Sequence, residues 1–177
     1  MSFADHHCIR PSPSLTGMNA LRGNPISVFE RLSIAEGYDL ERISENEIEI
    51  SISGLWRDHM ISLIWNASSE KIQCFLMFDS KTPGGRTDDI CRLMSLINEN
   101  LDAGHFDYSS QFKTLIYRNS LSLRGGAKLK TEQAMDLIAS ALDAAERGYP
   151  ACQYVVWAGK SPEDALSSAL MDLAGFP

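Results

Sequence analysis

Glu47-Ile48-Glu49-Ile50-Ser51-Ile52-Ser53 alternates without a fault, with an isoleucine at every second position and acids and serines between them. Successive side chains of an extended strand point to opposite faces, so this run predicts a strand with one apolar face and one wet face. Upstream, residues 40–43 predict a short partner strand across Ser44-Glu45-Asn46, where Asn tolerates the left-handed backbone of a tight hairpin. Downstream, residues 60–65 and 71–78 are joined by the polar stretch Asn66-Ala67-Ser68-Ser69-Glu70, which is hairpin-loop chemistry. Both of these runs are apolar on two faces. Ile61, Leu63 and Trp65 oppose Met60 and Ile64 in the first, and Ile72, Cys74, Leu76 and Phe78 oppose Phe75 and Met77 in the second. Strands of that kind belong in the middle of a sheet, or have their second face covered by a helix or another subunit.

Helical signals surround these strands. Asn24-Pro25 reads as a cap followed by proline at the first helical position, Val28, Phe29 and Leu32 form a stripe, and Gly37 stops the helix. Thr87 caps a second helix whose Asp88 and Asp89 suit the positive end of its dipole, and whose stripe Ile90, Leu93, Met94, Ile97 and Leu101 runs on to Gly104. Residues 105–108 and 114–123 predict two more strands. Thr131 caps a third helix carrying Ala134, Leu137, Ile138, Ala141, Leu142 and Ala145, which Gly148 and Pro150 are expected to break before a segment through Val155 and Val156. Ser161-Pro162-Glu163-Asp164 starts the last helix with a cap, a first-turn proline and two acids. The order of elements predicts an α+β fold, a mainly antiparallel sheet packed against helices, as a single domain over residues 24–177. Residues 1–23 hold Pro11, Pro13, Gly17 and Gly23 with no sustained periodicity and are expected to form a loose N-terminal tail.

At 177 residues the chain has room for a core that needs neither disulfide nor metal. Its 23 acidic residues outnumber 16 basic ones, and a net charge of −7 repels phosphate backbones and anionic lipids, so neither nucleic acid nor membrane is an expected partner. The apolar runs are too short to cross a bilayer. Cys8, Cys74, Cys91 and Cys152 are scattered without a C-x-x-C pair, and the first residues lack the blocks of a secretion signal, which predicts reduced thiols in a cytoplasmic protein.

No stretch carries a recognisable catalytic constellation. Arg124-Gly125-Gly126-Ala127-Lys128-Leu129-Lys130-Thr131 lies between a strand and a helix, but a phosphate-binding loop needs glycines where Leu129 and Arg124 stand. His105, Asp107 and Ser109 line up along one predicted strand, and a row at roughly 7 Å intervals is not a convergent triad. A local hydrogen bond between His105 and Asp107 is the expected arrangement. Glu45, Glu47 and Glu49 read as a solvated strand face. His6-His7-Cys8 offers three nearby ligands and no distant fourth, which makes a weak metal site, and Cys74 and Cys152 read as small apolar core residues. No cofactor is called for.

The stretch Val155-Val156-Trp157-Ala158-Gly159-Lys160-Ser161-Pro162-Glu163-Asp164-Ala165-Leu166 resembles the C-terminal signature of the bacterial YbjN-like family, also described as sensory transduction regulators. Gly104-His105-Phe106-Asp107, Leu121-Ser122-Leu123-Arg124-Gly125-Gly126 and the region from Trp56 to Trp65 agree with it, over about residues 25–173 in all. Ala158 departs from it, standing where a second glycine is expected. The resemblance implies a fold like that of type III secretion chaperones, which commonly dimerise and bind extended segments of other proteins, and it implies no catalytic residues. Trp157 is expected as a core plug, Gly159 as a helix stop and Ser161 as the next cap.

Two functions compete. The first is a non-enzymatic protein-binding or chaperone-like homodimer with an unknown protein partner, using exposed apolar side chains among Trp56, Trp65, Phe75 and Met77. The second is a small-molecule-sensing domain or small enzyme with a pocket between sheet and helices, using His105, Asp107 or Arg124.

Overall fold

Residues 23–79 and 81–175 are described by the structure, a computed structural model. Six strands form one antiparallel sheet: β1 (Asp39–Ser44), β2 (Glu47–Ser53), β3 (Asp58–Asn66), β4 (Lys71–Met77), β5 (His105–Ser109) and β6 (Thr114–Ser122), in the order β1-β2-β3-β4-β6-β5. Among the described residues four α-helices accompany them: α1 (Ile26–Glu36), α2 (Thr87–Asn98), α3 (Thr131–Val156) and α4 (Pro162–Ala174). The α+β class read from the sequence holds, as do the strict strand over residues 47–53 and the central place of the two doubly apolar strands.

Alternation decides which face is filled. Ile48 and Ile50 of β2, Ile61 and Leu63 of β3, Ile72, Cys74 and Leu76 of β4, and Leu115 and Tyr117 of β6 join Phe29, Ile90, Leu93, Leu137, Ala141 and Cys152 of the helices in one continuous core. Phe75 and Ile116, on the opposite side of their strands, are not part of that core. The helices therefore cover one face of the sheet. Within their layer α4 packs on α3 and α2, burying Ala165 and Ala169. Burial in this core holds Cys74, Cys152 and Tyr117 protonated, each pKa pushed up to about 12.

Helix α3 corrects the sequence reading. It does not break at Gly148 and Pro150 but runs 26 residues without interruption. Gly148 is a contact residue: a Cβ there would lie 2.9 Å from the ring of Phe106, so its bareness lets the helix approach β5. Pro150 has no N–H to offer the carbonyl four residues back, that of Glu146. The indole N–H of Trp56, arriving from the β2–β3 connection, donates to that carbonyl at 3.1 Å and takes the missing partner's place. The Glu146 carboxylate fastens the same connection, its Oε1 accepting from the Leu55 N–H at 3.0 Å and lying 3.1 Å from Nε2 of buried His59.

The unbroken helix also relocates Trp157. At about 100° per residue, a helix that turns Val155 into the core turns Trp157 to the far side, and it is 75% exposed rather than a plug. Gly159 follows with φ +67°, and Ser161 caps α4 as expected, its Oγ accepting from the Asp164 N–H at 3.2 Å. Helix α2 ends at Asn98, short of Gly104. The Asn98 side chain accepts from the Phe106 N–H at 2.7 Å and donates to its carbonyl at 3.0 Å, pairing with edge strand β5 as a further strand would.

Two outcomes follow from this packing. Trp56→Phe leaves the Glu146 carbonyl without its donor and is expected to cost about 1–3 kcal/mol by urea denaturation. In a Pro150→Ala background, where residue 150 regains an N–H, the same change should cost less, and equal costs in both backgrounds would show that the indole does not replace that N–H. Because the core thiols and the Tyr117 hydroxyl titrate higher folded than unfolded, they stabilise the fold fully below about pH 9 and progressively less as pH rises toward 12. Exchanging Cys74 and Cys152 for Ala should flatten that alkaline decline in a denaturation series, and an unchanged slope would place it elsewhere.

Candidate binding face of the sheet

The face that the helices leave is built from the other half of each strand's alternation. The register sets Glu49, Ser62, Phe75, Arg118 and His105 in one row across β2, β3, β4, β6 and β5. The next row holds Ser51, Met60, Met77, Ile116 and Asp107. Apolar side chains occupy the middle of both rows and polar or charged ones the ends. Ser62 Oγ donates to Glu49 Oε1 at 3.2 Å, the Arg118 guanidinium lies 5.3 Å from the centroid of the Phe75 ring, and Arg118 Nε forms an ion pair with Asp107 Oδ2 at 3.2 Å. Met60 and Met77, on the two central strands, are open to solvent, 50% and 36% exposed.

Two concavities indent the face. One of about 550 Å³ is bounded by Glu47, Ile64, Phe75, Phe112, Ile116 and Arg118, with Phe112 contributed by the β5–β6 turn. The other, about 370 Å³, has Met60 and Met77 against Arg57, Asp79 and Tyr149. Arg57 pairs with Asp79, donates to the Tyr149 hydroxyl at 3.5 Å and lies 5.3 Å from the centroid of that ring. The Arg57 guanidinium holds the Asp79 carboxyl below the usual carboxylate range. The chemistry on offer is that of a contact surface: thioethers and aromatic rings that repack around apolar groups, framed by carboxylates that favour a cation.

The sequence-predicted residues separate into groups. Phe75 and Met77 lie on this face, as adjacent outward positions of β4. Trp56 does not and serves α3 instead, while Trp65 is packed against the core beside Val28, Leu123 and Leu129 and also borders the 550 Å³ concavity at the end of β3. His105 and Asp107 share the face at its β5 edge, and Asp107 pairs with Arg118 rather than with His105. Arg124 belongs to the turn after β6, six residues beyond the partner of His105, or about 20 Å along an extended chain, so the three do not converge. Sequence reasoning missed Met60 and Arg118 as members of the surface, although the same alternation that sets Leu115 and Tyr117 inward sets Ile116 and Arg118 outward. Among the described residues no group of three metal-ligating side chains occurs, and no helix is long and apolar enough to cross a membrane. His6, His7 and Cys8 lie outside the described residues.

No curated protein matches the chain. The YbjN family, described as "Putative bacterial sensory transduction regulator", matches over residues 25–154, a span that holds all six strands with α1, α2 and most of α3. The match stops just before the 155–166 stretch that prompted the sequence resemblance. With well over half of its length matched, the chain belongs to the YbjN family.

Proposed function

We propose that this chain is a regulator that works by binding another protein rather than by catalysis, and that the face of the sheet opposite the helices is its binding surface. The observation that supports this reading is the pair Met60 and Met77, side by side on the two central strands and open to solvent on a sheet whose other side is already filled. A central strand is the most rigid platform in a sheet, and apolar side chains held there do not contribute to the helix-side core. Beyond the carboxylates already paired with Arg57 and Arg118, Glu47, Glu49 and Asp58 border the surface or its concavities, which favours a partner segment that is apolar with basic residues beside it. The family's description as a transduction regulator is consistent with a role exerted through contact, and the chaperone-like fold that the sequence resemblance implies belongs to the same proposal.

A displayed library of random peptides panned against the full chain tests the reading. Selected peptides are expected to be extended, apolar and basic, to shift the methyl resonances of Met60 and Met77, and to bind Met60→Glu/Met77→Glu protein at least about tenfold more weakly. Peptides that shift Met171 of α4 instead, and bind the double variant undiminished, would move the binding surface to the helical side.

A further inference from the structure

The two edges of the sheet are finished differently. At β5 the Asn98 side chain bonds both backbone groups of Phe106 and stands in for a further strand. At the other edge β1 pairs with β2 on one side, and among the described residues no hydrogen bond from another element reaches its backbone on the other. Alternate residues of an edge strand turn their N–H and C=O groups outward, so β1 is a template for one more strand. Its ladder with β2 is regular from Asp39 to Arg42, and the irregularity falls between Arg42 and Ser44, at the hairpin end.

Side chains above and below that edge define what fits. Leu40 and Arg42 stand opposite the core residues Ile50 and Ile48, so they face the helices, whereas Asp39 and Glu41 stand opposite Ser51 and Glu49 and face the open side. Arg42 pairs with Glu30 of α1, and Ile34, one turn further along the same side of that helix, is 82% exposed. Gly37 turns the chain back from α1 into β1, so helix and strand run antiparallel and Ile34 lies on the Leu40 side of Arg42. A strand added about 4.8 Å beyond β1 lays one row of side chains toward Ile34 and the other toward Asp39 and Glu41. From Leu32 to Glu41 the chain carries Glu36, Asp39 and Glu41 and no basic residue, which favours a cationic second row.

The same charges decide between occupants. In a two-fold antiparallel pairing of β1 with a second copy, centring on Leu40 sets Asp39 against Glu41, centring on Glu41 sets that residue against itself, and centring on Arg42 does the same for Arg42. Like charges directly opposite one another destabilise a ladder. We infer that β1 takes an extended segment of a partner protein as a further strand, one whose side chains alternate between apolar, toward Ile34, and basic, toward Asp39 and Glu41. This contact is separate from the open face and stands whether or not that face is occupied.

Amide exchange by NMR in the full chain tests the pairing, with a short synthetic peptide alternating lysine and isoleucine as the probe. The outward amides of β1 are expected to exchange freely in the protein alone and at least about tenfold more slowly at saturating peptide, with the Ile34 methyl shifted. That protection is expected to persist in Met60→Glu/Met77→Glu protein, which separates the edge from the open face. The same peptide N-methylated along its pairing edge, and a counterpart alternating glutamate and isoleucine, are expected to leave β1 unprotected. Asp39→Lys/Glu41→Lys protein, altered only at exposed positions, is expected to reverse the choice between the two charged peptides. No protection from the lysine peptide would overturn the inference, as would protection that survives N-methylation or the charge reversal, or that is lost in the Met60→Glu/Met77→Glu protein. Protection that grows with protein concentration alone would overturn it too, by giving the edge to a second copy.

Discussion

Everything on the open face depends on one packing event, the closure of α3 over the isoleucine side of the sheet. A 26-residue helix spans about 39 Å, enough to cross the central strands and bind β3, β4 and β6 into one core. Its second half is tied to the β2–β3 connection through Glu146, whose backbone oxygen and carboxylate hold Trp56, Leu55 and His59 together. Once one face is filled this way, alternation leaves a second face of fixed composition, and that composition includes methionines on the central strands.

The strands were legible because their signal is local. Period-2 alternation over residues 47–53 names both the element and its two faces, and the double apolarity of β3 and β4 places them centrally before any partner is known. Cys74 and Cys152 were legible as core for the same reason, a small apolar side chain in an apolar stripe. Phe75 and Met77 were correctly placed on a common face, although which face stays open follows from the helices and not from the strand.

What local reading missed was supplied by residues far away in sequence. Gly148 and Pro150 form a strong breaker signal, and it fails because the donor that Pro150 lacks arrives from Trp56, some ninety positions earlier in the chain. The same distant compensation misplaced Trp157, since a helix continued through residue 150 turns it outward. Asn98 ends α2 early by bonding both backbone groups of Phe106, a pairing that the apolar stripe running on to Leu101 conceals. His105, Asp107 and Arg124 were grouped by residue type alone, and the register of β5 on β6 separates them.

The central claim is that this sheet has one core face and one surface face, and adjacent residues of β3 test it. Ile61 lies fully buried against the helices, while its neighbour Met60 points the other way. Urea denaturation of Ile61→Ala and Met60→Ala compares the two faces at one position along one strand. The account predicts a loss of about 2–5 kcal/mol for Ile61→Ala and within about 0.5 kcal/mol of no change for Met60→Ala. Losses of similar size would contradict it, because the second face would then belong to the core and not to a partner.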